Sequence, residues 1–122
     1  MRLRRMLISK ISEARVTDKL LYYEGSITID RAILKKAKIL PGEKVEVLNL
    51  NNGARIETYV IEDEEEGKGR ICINGPACRF FEIGDSIIIL CYALIDEESI
   101  DTYKTIFVKL DEHNQVKDTI IR

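Results

Sequence analysis

Turn signals divide this sequence into short segments, and their spacing is the strongest constraint on the fold. Glycine-containing turn pairs stand at four places: Pro41-Gly42, Asn52-Gly53, Gly75-Pro76 and Gly84-Asp85. Most segments between them alternate apolar and polar residues, and residues 86–94 are almost continuously apolar. These patterns predict six or seven short strands, the most deeply buried one over residues 86–94. With at most two small helices, they indicate a small, mainly β barrel.

Local signals place the individual elements. Residues 6–16 are predicted to form the first strand, and residues 116–121 the last. Asp30 is predicted to cap a short helix with an apolar stripe, which we expect to end at Pro41-Gly42. Asn52-Gly53 is a strong hairpin signal.

Composition limits the classes of function. A length of 122 residues predicts one barrel domain over residues 1–122. The net charge of −2, from 19 basic and 21 acidic residues, argues against a nucleic-acid surface. No apolar run is long enough for a signal peptide or a membrane span. Cys72, Cys78 and Cys91 form no Cys-x-x-Cys pair. We therefore expect core thiols in a cytoplasmic protein and no metal site.

The Gly25-Ser26 pair precedes an alternating strand that contains Ile27 and Ile29. Glycine leaves its carbonyl carbon open to attack and tolerates backbone angles that other residues resist. The serine hydroxyl that follows could attack this carbonyl and convert the amide into an ester. β-Elimination would then leave a pyruvoyl group at position 26. The dipeptide alone favours a simpler interpretation, in which Gly25-Ser26 merely turns the chain into the strand, since glycine and serine are ordinary turn residues.

Arg55 and Tyr59 share the parity of one predicted strand and therefore one of its faces. Their Cα atoms would lie about 13 Å apart, so that two long side chains could converge on one small molecule. Arg55 offers a planar fork for a carboxylate, and Tyr59 offers a proton. Thr58 should point to the other face, so a role in the same site requires a bend or a backbone contact.

Several motifs together resemble the bacterial aspartate 1-decarboxylase family. Their order and spacing match through almost the whole chain, with one extra residue in the acidic loop. The matching residues are Lys10, Arg15-Val16-Thr17, Tyr23, Gly25-Ser26-Ile27-Thr28-Ile29-Asp30, Asn52-Gly53, Arg55, Thr58-Tyr59, Asn74-Gly75 and Ala77.

The resemblance implies a fold, an assembly and a cofactor. The fold would be a double-psi β-barrel with one or two short helices, assembled as a homotetramer. Self-cleavage would give a β chain of residues 1–25 and an α chain of residues 26–122. Ser26 would become the covalent pyruvoyl cofactor, which forms a Schiff base with L-aspartate and accepts electrons as CO₂ leaves. The product would be β-alanine for pantothenate biosynthesis, and a maturation factor is a possible partner.

The resemblance also implies roles for individual residues. Ser26 and Tyr59 would be catalytic, with Tyr59 as the proton donor. The substrate-binding residues would be Lys10, Arg55, Thr58, Gly75, Pro76 and Ala77. The processing residues would be Tyr23, Gly25, Ser26, Thr58 and Asn74.

Three positions depart from the family pattern. Ser12 and Tyr103 replace residues that are usually histidine, and Pro76 replaces an alanine. Because proline has no N–H, position 76 cannot donate a backbone hydrogen bond.

A different class of protein also shares part of the pattern. Residues 27–30, a short helix and Leu40-Pro41-Gly42-Glu43 resemble DNA-binding swapped-hairpin regulators, which are about half this length. A catalytically silent barrel is a further alternative.

Overall fold

The computed structural model describes all residues, Met1–Arg122, and is mainly β. One α-helix, α1 (Arg31–Ala37), and two 3₁₀ segments, Gly75–Phe80 and Glu97–Ser99, accompany the strands. The nine strands are β1 (Leu3–Arg15), β2 (Asp18–Leu20), β3 (Ser26–Asp30), β4 (Lys44–Asn49), β5 (Arg55–Asp63), β6 (Ile71–Asn74), β7 (Ser86–Asp96), β8 (Ile106–Leu110) and β9 (Val116–Ile121).

The strands form one continuous sheet around one core. Their spatial order is β2-β6-β3-β5-β4-β7-β1-β8-β9. Three of the eight pairings are parallel, namely β1 with β8, β2 with β6 and β3 with β5. The sheet encloses a hydrophobic cluster of 22 buried residues. This arrangement confirms the predicted small, mainly β barrel with short helices.

The start of α1 is as predicted, and its end is not. Asp30 caps the helix, because its Oδ1 accepts a hydrogen bond of 2.9 Å from the Ala32 N–H. The helix stops at Ala37, several residues before Pro41-Gly42. Lys38 there adopts a left-handed conformation with φ of 55°. This turn directs the backbone N–H groups of Lys38 and Ile39 to the carbonyls of Lys35 and Leu34.

The buried carboxylate of Asp30 also anchors the acidic loop. Its Oδ2 accepts hydrogen bonds from the Gly69 N–H at 2.6 Å and from the Gly67 N–H at 3.1 Å. Asp30 is 1% exposed, so these donors replace the water that the carboxylate loses on burial. The loop after β5 is therefore tied to the end of β3.

Two expectations about the strands are wrong. The most deeply buried strands are β3 and β6, all of whose residues are buried, whereas the second half of β7 turns partly to solvent. The continuously apolar sequence of residues 86–94 did not show whether one face of this strand is buried or both. The structure also has nine strands rather than six or seven. The short strand β2 has only three residues and no apolar alternation.

The three cysteines are buried and free, as predicted for core thiols. Burial raises the pKa of the Cys91 thiol to about 12, and the neighbouring carboxylate of Glu43 acts in the same direction. Cys91 therefore stays protonated and unreactive at neutral pH. No helix in the structure combines the length and the apolar character that crossing a membrane requires.

Candidate active site

The Gly25-Ser26 junction lies where β3 begins. Ser26 is the first residue of the strand and is 1% exposed. Its Oγ donates a hydrogen bond of 3.1 Å to the carbonyl of Glu24. This contact turns the hydroxyl back toward the chain that precedes Ser26, which is the direction that an attack on the Gly25 carbonyl requires.

Asn74 contacts the Ser26 hydroxyl directly. Ser26 and Asn74 are Cα partners in the antiparallel pairing of β3 with β6. The Asn74 Nδ2 donates hydrogen bonds to Ser26 Oγ at 3.0 Å and to Thr28 Oγ1 at 2.9 Å. All three side chains are buried. The structure thus places Asn74, predicted from the sequence to be a processing residue, in contact with the hydroxyl oxygen of Ser26.

The sequence analysis missed two residues of this cluster. Thr28 shares the amide of Asn74, and the Cys72 Sγ lies 3.2 Å from Asn74 Oδ1. A signal was present, because polar residues at 26, 28, 72 and 74 alternate with isoleucines at 27, 29, 71 and 73. Two alternating strands with polar residues at matching parity indicate a shared polar face, opposite the face that carries the isoleucines.

Gly75 packs against the backbone of the junction. Its φ is +79°, and a Cβ placed there would lie 2.9 Å from both the Gly25 Cα and the Tyr23 carbonyl oxygen. Only glycine fits this contact. Gly25 has no such conformational requirement: it lies outside the left-handed region, and the nearest atom to an added Cβ is the Pro76 Cδ, at 3.9 Å. The backbone angles that other residues resist, which we expected at Gly25, therefore occur at Gly75 instead.

The residues that follow Gly75 divide between the junction and the core. Pro76 lies beside Gly25, whereas Ala77 packs against the hydrophobic core. Tyr23 contributes its carbonyl to the contact with Gly75, and its side chain is half exposed. The 3₁₀ segment thus holds the junction through backbone and ring contacts.

Arg55 and Tyr59 lie on the exposed face of β5, and Thr58 points to the opposite face, where its Cα partner is the buried Val45. The Tyr59 hydroxyl lies 3.5 Å from Glu24 Oε2, at the long limit of a hydrogen bond. Tyr59 is therefore directed toward the residue before the junction.

Arg55 is already paired with a carboxylate. Its Nη2 donates to Glu46 Oε1 at 2.6 Å. Hydrogen bonding and charge attraction to Glu46 raise the pKa of the Arg55 guanidinium above its usual value, against a smaller opposing effect of desolvation. On the same face, Lys44 pairs with Glu57 at 3.0 Å. A substrate carboxylate must therefore compete with Glu46 for Arg55.

The predicted substrate-binding residues do not all meet in one chain. Arg55 lines a cavity of about 480 Å³ whose other lining residues are Arg5, Lys44, Val45, Glu46, Glu57, Tyr92, Ala93 and Leu94. Ser26, Tyr59 and Lys10 are not among them. Lys10 lies on β1, and three strands separate β1 from β3 along the sheet. It forms no ion pair within the chain.

Comparison with known proteins gives consistent matches. A family model described as aspartate decarboxylase matches residues 1–117. The aspartate 1-decarboxylase of Thermoanaerobacter pseudethanolicus is 54% identical over 110 residues, which cover 90% of this chain and 93% of that protein. The aspartate 1-decarboxylase of Staphylococcus aureus is 48% identical over 118 residues, with 97% and 92% covered.

The contact of Gly75 with the junction generates a first prediction. Gly75→Ala should slow cleavage at Gly25-Ser26 by at least tenfold, because the new Cβ displaces the Gly25 backbone from the Ser26 hydroxyl. Intact mass spectrometry over time after synthesis measures the fraction cleaved.

Gly53→Ala is the matched control. Gly53 has a similar φ of +77° but no atom within 4 Å of an added Cβ. Both variants carry the backbone strain of about 1–2 kcal/mol, and only Gly75→Ala crowds the junction. Equal cleavage rates in the two variants would show that the contact has no role.

Proposed function

This chain belongs to the aspartate decarboxylase family, and on that premise we propose that it converts L-aspartate to β-alanine and CO₂ after cleaving its own backbone between Gly25 and Ser26. We further assign the product to pantothenate biosynthesis in the cytoplasm. The observation that carries the proposal is the buried Ser26 hydroxyl, held between the Glu24 carbonyl and the Asn74 amide.

Cleavage begins with an acyl shift. Ser26 Oγ bonds to the Gly25 carbonyl carbon, the C–N bond to Ser26 breaks, and the hydroxyl proton passes to the released nitrogen. Elimination then removes the Ser26 Cα proton and breaks the Cβ–Oγ bond. Oγ leaves as one oxygen of the Gly25 carboxylate. The dehydroalanine at position 26 tautomerises to an imine, and water replaces ammonia to give the pyruvoyl group.

Asn74 supports these reaction steps through its contact with one atom, Ser26 Oγ. Negative charge develops on Oγ as the Cβ–Oγ bond breaks, and the Asn74 N–H lies 3.0 Å from that oxygen. A fixed donor in a buried site stabilises such charge more effectively than water does. The same Asn74 Nδ2 also donates a hydrogen bond to Thr28 Oγ1.

The site is compatible with a pyruvoyl group at position 26. Gly75 has no Cβ, so the backbone of Tyr23 and Gly25 packs directly against it, next to position 26. Gly75 and Pro76 would line the group. When present, it supplies a carbonyl electron sink for the loss of CO₂.

Substrate binding is assigned to cationic and hydroxyl groups outside the junction. Arg55 would exchange Glu46 for a substrate carboxylate, and Lys10 would supply the second positive charge that a dicarboxylate needs. Thr58 would contact the substrate through its backbone or a local bend. Because Ser26 is not among the residues that line the Arg55 cavity, we propose a homotetramer in which neighbouring copies complete the site. A maturation factor remains part of the proposal as a possible aid to cleavage.

Tyr59 is assigned the final proton transfer. Its Oη carries a proton that can pass to the carbon that has lost CO₂. The approach of Oη to Glu24, next to the junction, supports this assignment. The only histidine, His113, is exposed in the turn before β9, and it is assigned no role in this transfer.

The first test of this function concerns Ser26. Ser26→Ala should remain a single chain and lack activity, whereas the wild type should give chains of residues 1–25 and 26–122. Intact mass spectrometry and β-alanine release measure the two outcomes. Ser9→Ala is the control, since Ser9 is equally buried at 1% exposure but donates to the Ala37 carbonyl. A wild type that is fully active and uncleaved would refute the proposal.

A second test concerns the competition for Arg55. Arg55→Ala and Arg55→Lys should both lower kcat/KM by roughly 30- to 1,000-fold, because a lysine cannot replace the bidentate fork. Glu46→Gln should lower KM for aspartate by about two- to fivefold, since a competing carboxylate is removed. Steady-state kinetics on fully cleaved protein give both values.

Glu57→Gln provides the comparison for Glu46→Gln. Glu57 is the Cα partner of Glu46 and pairs with Lys44 instead of Arg55. The two substitutions change the net charge equally. If both lower KM to the same extent, general charge rather than release of Arg55 is responsible.

A third test concerns Tyr59. Tyr59→Phe should still cleave, and its kcat should fall by roughly 10²- to 10⁴-fold, as is typical when a positioned proton donor is lost. Tyr22→Phe, at a position that is 93% exposed in the turn before the junction, should retain normal kcat. A normal kcat in cleaved Tyr59→Phe would exclude this tyrosine as the donor.

A further inference from the structure

Four buried polar side chains form a square on one face of β3 and β6. Ser26 pairs with Asn74, and Thr28 pairs with Cys72 in the antiparallel register. Their exposures are 1%, 2%, 8% and 1%, respectively. The alternate residues of both strands are isoleucines in the hydrophobic core. With no bulk water available, hydrogen bonds within the square decide how its members are oriented.

The orientation of the Asn74 amide depends on the groups at both of its ends. The amide has one NH₂ group, which can only donate, and one oxygen, which can only accept. Its Nδ2 faces the hydroxyls of Ser26 and Thr28, and its Oδ1 faces the Cys72 Sγ at 3.2 Å. The Ser26 hydroxyl donates to the Glu24 carbonyl and therefore accepts from the amide, whereas the Thr28 hydroxyl can accept or donate. A thiol that keeps its proton strengthens the same orientation from the opposite end of the amide, because it donates to Oδ1.

The surroundings of Cys72 favour the protonated thiol. Desolvation by burial is the largest influence, and it raises the pKa of Cys72 above its usual value despite the opposing charge of Arg70. The nearby Cys78 has a different partner. Its Sγ lies 3.1 Å from the Ile73 carbonyl and makes no contact with Asn74.

We propose that Cys72 is a positioning residue for chain cleavage: its thiol donates to Asn74 Oδ1 and thereby directs the Asn74 NH₂ group to the Ser26 oxygen. The inference rests on the proposed self-cleavage and adds a residue to it. A reversed amide would present its oxygen to Ser26 Oγ and repel the charge that develops there during elimination. Because Oγ leaves with Gly25, this role ends when the chain is cut.

The test compares cleavage rates of full-length chains. Wild type, Cys72→Ala, Cys72→Ser and Cys78→Ala are synthesised in a cell-free system, translation is stopped, and cleavage is followed by intact mass spectrometry. Cys72→Ala should cleave about three- to tenfold more slowly, the effect of one lost hydrogen bond. Cys72→Ser restores a donor and should cleave within about twofold of wild type. Cys78→Ala removes a buried sulfur without touching Asn74 and should match wild type.

A second measurement separates positioning from general damage to the barrel. Decarboxylation is measured per cleaved chain after cleavage is complete. Loss of positioning lowers the cleavage rate of Cys72→Ala more than its kcat, whereas distortion of the site lowers both equally.

Each outcome decides between these explanations. Slow cleavage in Cys72→Ala with recovery in Cys72→Ser supports the inference. Wild-type cleavage in Cys72→Ala, equally slow cleavage in Cys72→Ser, or equally slow cleavage in Cys78→Ala overturns it. A wild type that never cleaves refutes the proposed function instead, so the two failures are distinguishable.

Discussion

The antiparallel pairing of β3 with β6 is the interaction on which the site depends. It places isoleucines of both strands in the core and puts Ser26 opposite Asn74 on the other face. A one-residue slip in this register would exchange the two faces and bury the Ser26 hydroxyl among apolar side chains. The apolar face therefore fixes the position of the polar one. Hydrophobic burial, the largest favourable contribution to folding, also aligns the groups for the proposed cleavage.

Charge is arranged differently at the junction and at the proposed substrate-binding face. The junction relies on neutral donors and acceptors, whereas the exposed face of β4 and β5 carries the diagonal ion pairs Arg55–Glu46 and Lys44–Glu57. Neutral groups suit a buried site, since an unpaired ion there would cost several kcal/mol. Solvated pairs exchange partners at little cost, because exposed ion pairs contribute little net stability. A carboxylate ligand can therefore enter where ion pairs are already present.

Local patterns in the sequence predicted most of the fold and part of the site. The cap at Asp30, the Asn52-Gly53 hairpin and the shared face of Arg55 and Tyr59 follow from short-range rules and are present in the structure. The family match over residues 1–117 favours the decarboxylase over the regulator suggested by residues 27–30. The pairing of Arg55 with Glu46 depends on the register across the β4–β5 hairpin, and the distance of Lys10 from β3 depends on strand order. The sequence patterns used above give neither. Cys72 was assigned only to the core. It lies on β6 two residues before Asn74, on the same face, but the contact of its thiol with the Asn74 amide depends on side-chain orientation, which the alternation of residues does not give.

The position of β1 affects how the molecule can fold after cleavage. This strand is hydrogen-bonded to β7 on one side and β8 on the other, and it precedes the junction. A cut at the proposed bond would leave residues 1–25 as a separate polypeptide that supplies an interior strand of the barrel. The intact precursor folds as one molecule, at a rate independent of concentration. The cleaved protein, once denatured, must find its missing strand by collision, so its recovery depends on concentration. Maturation would thereby turn a reversible folding reaction into an assembly reaction that dilution disfavours.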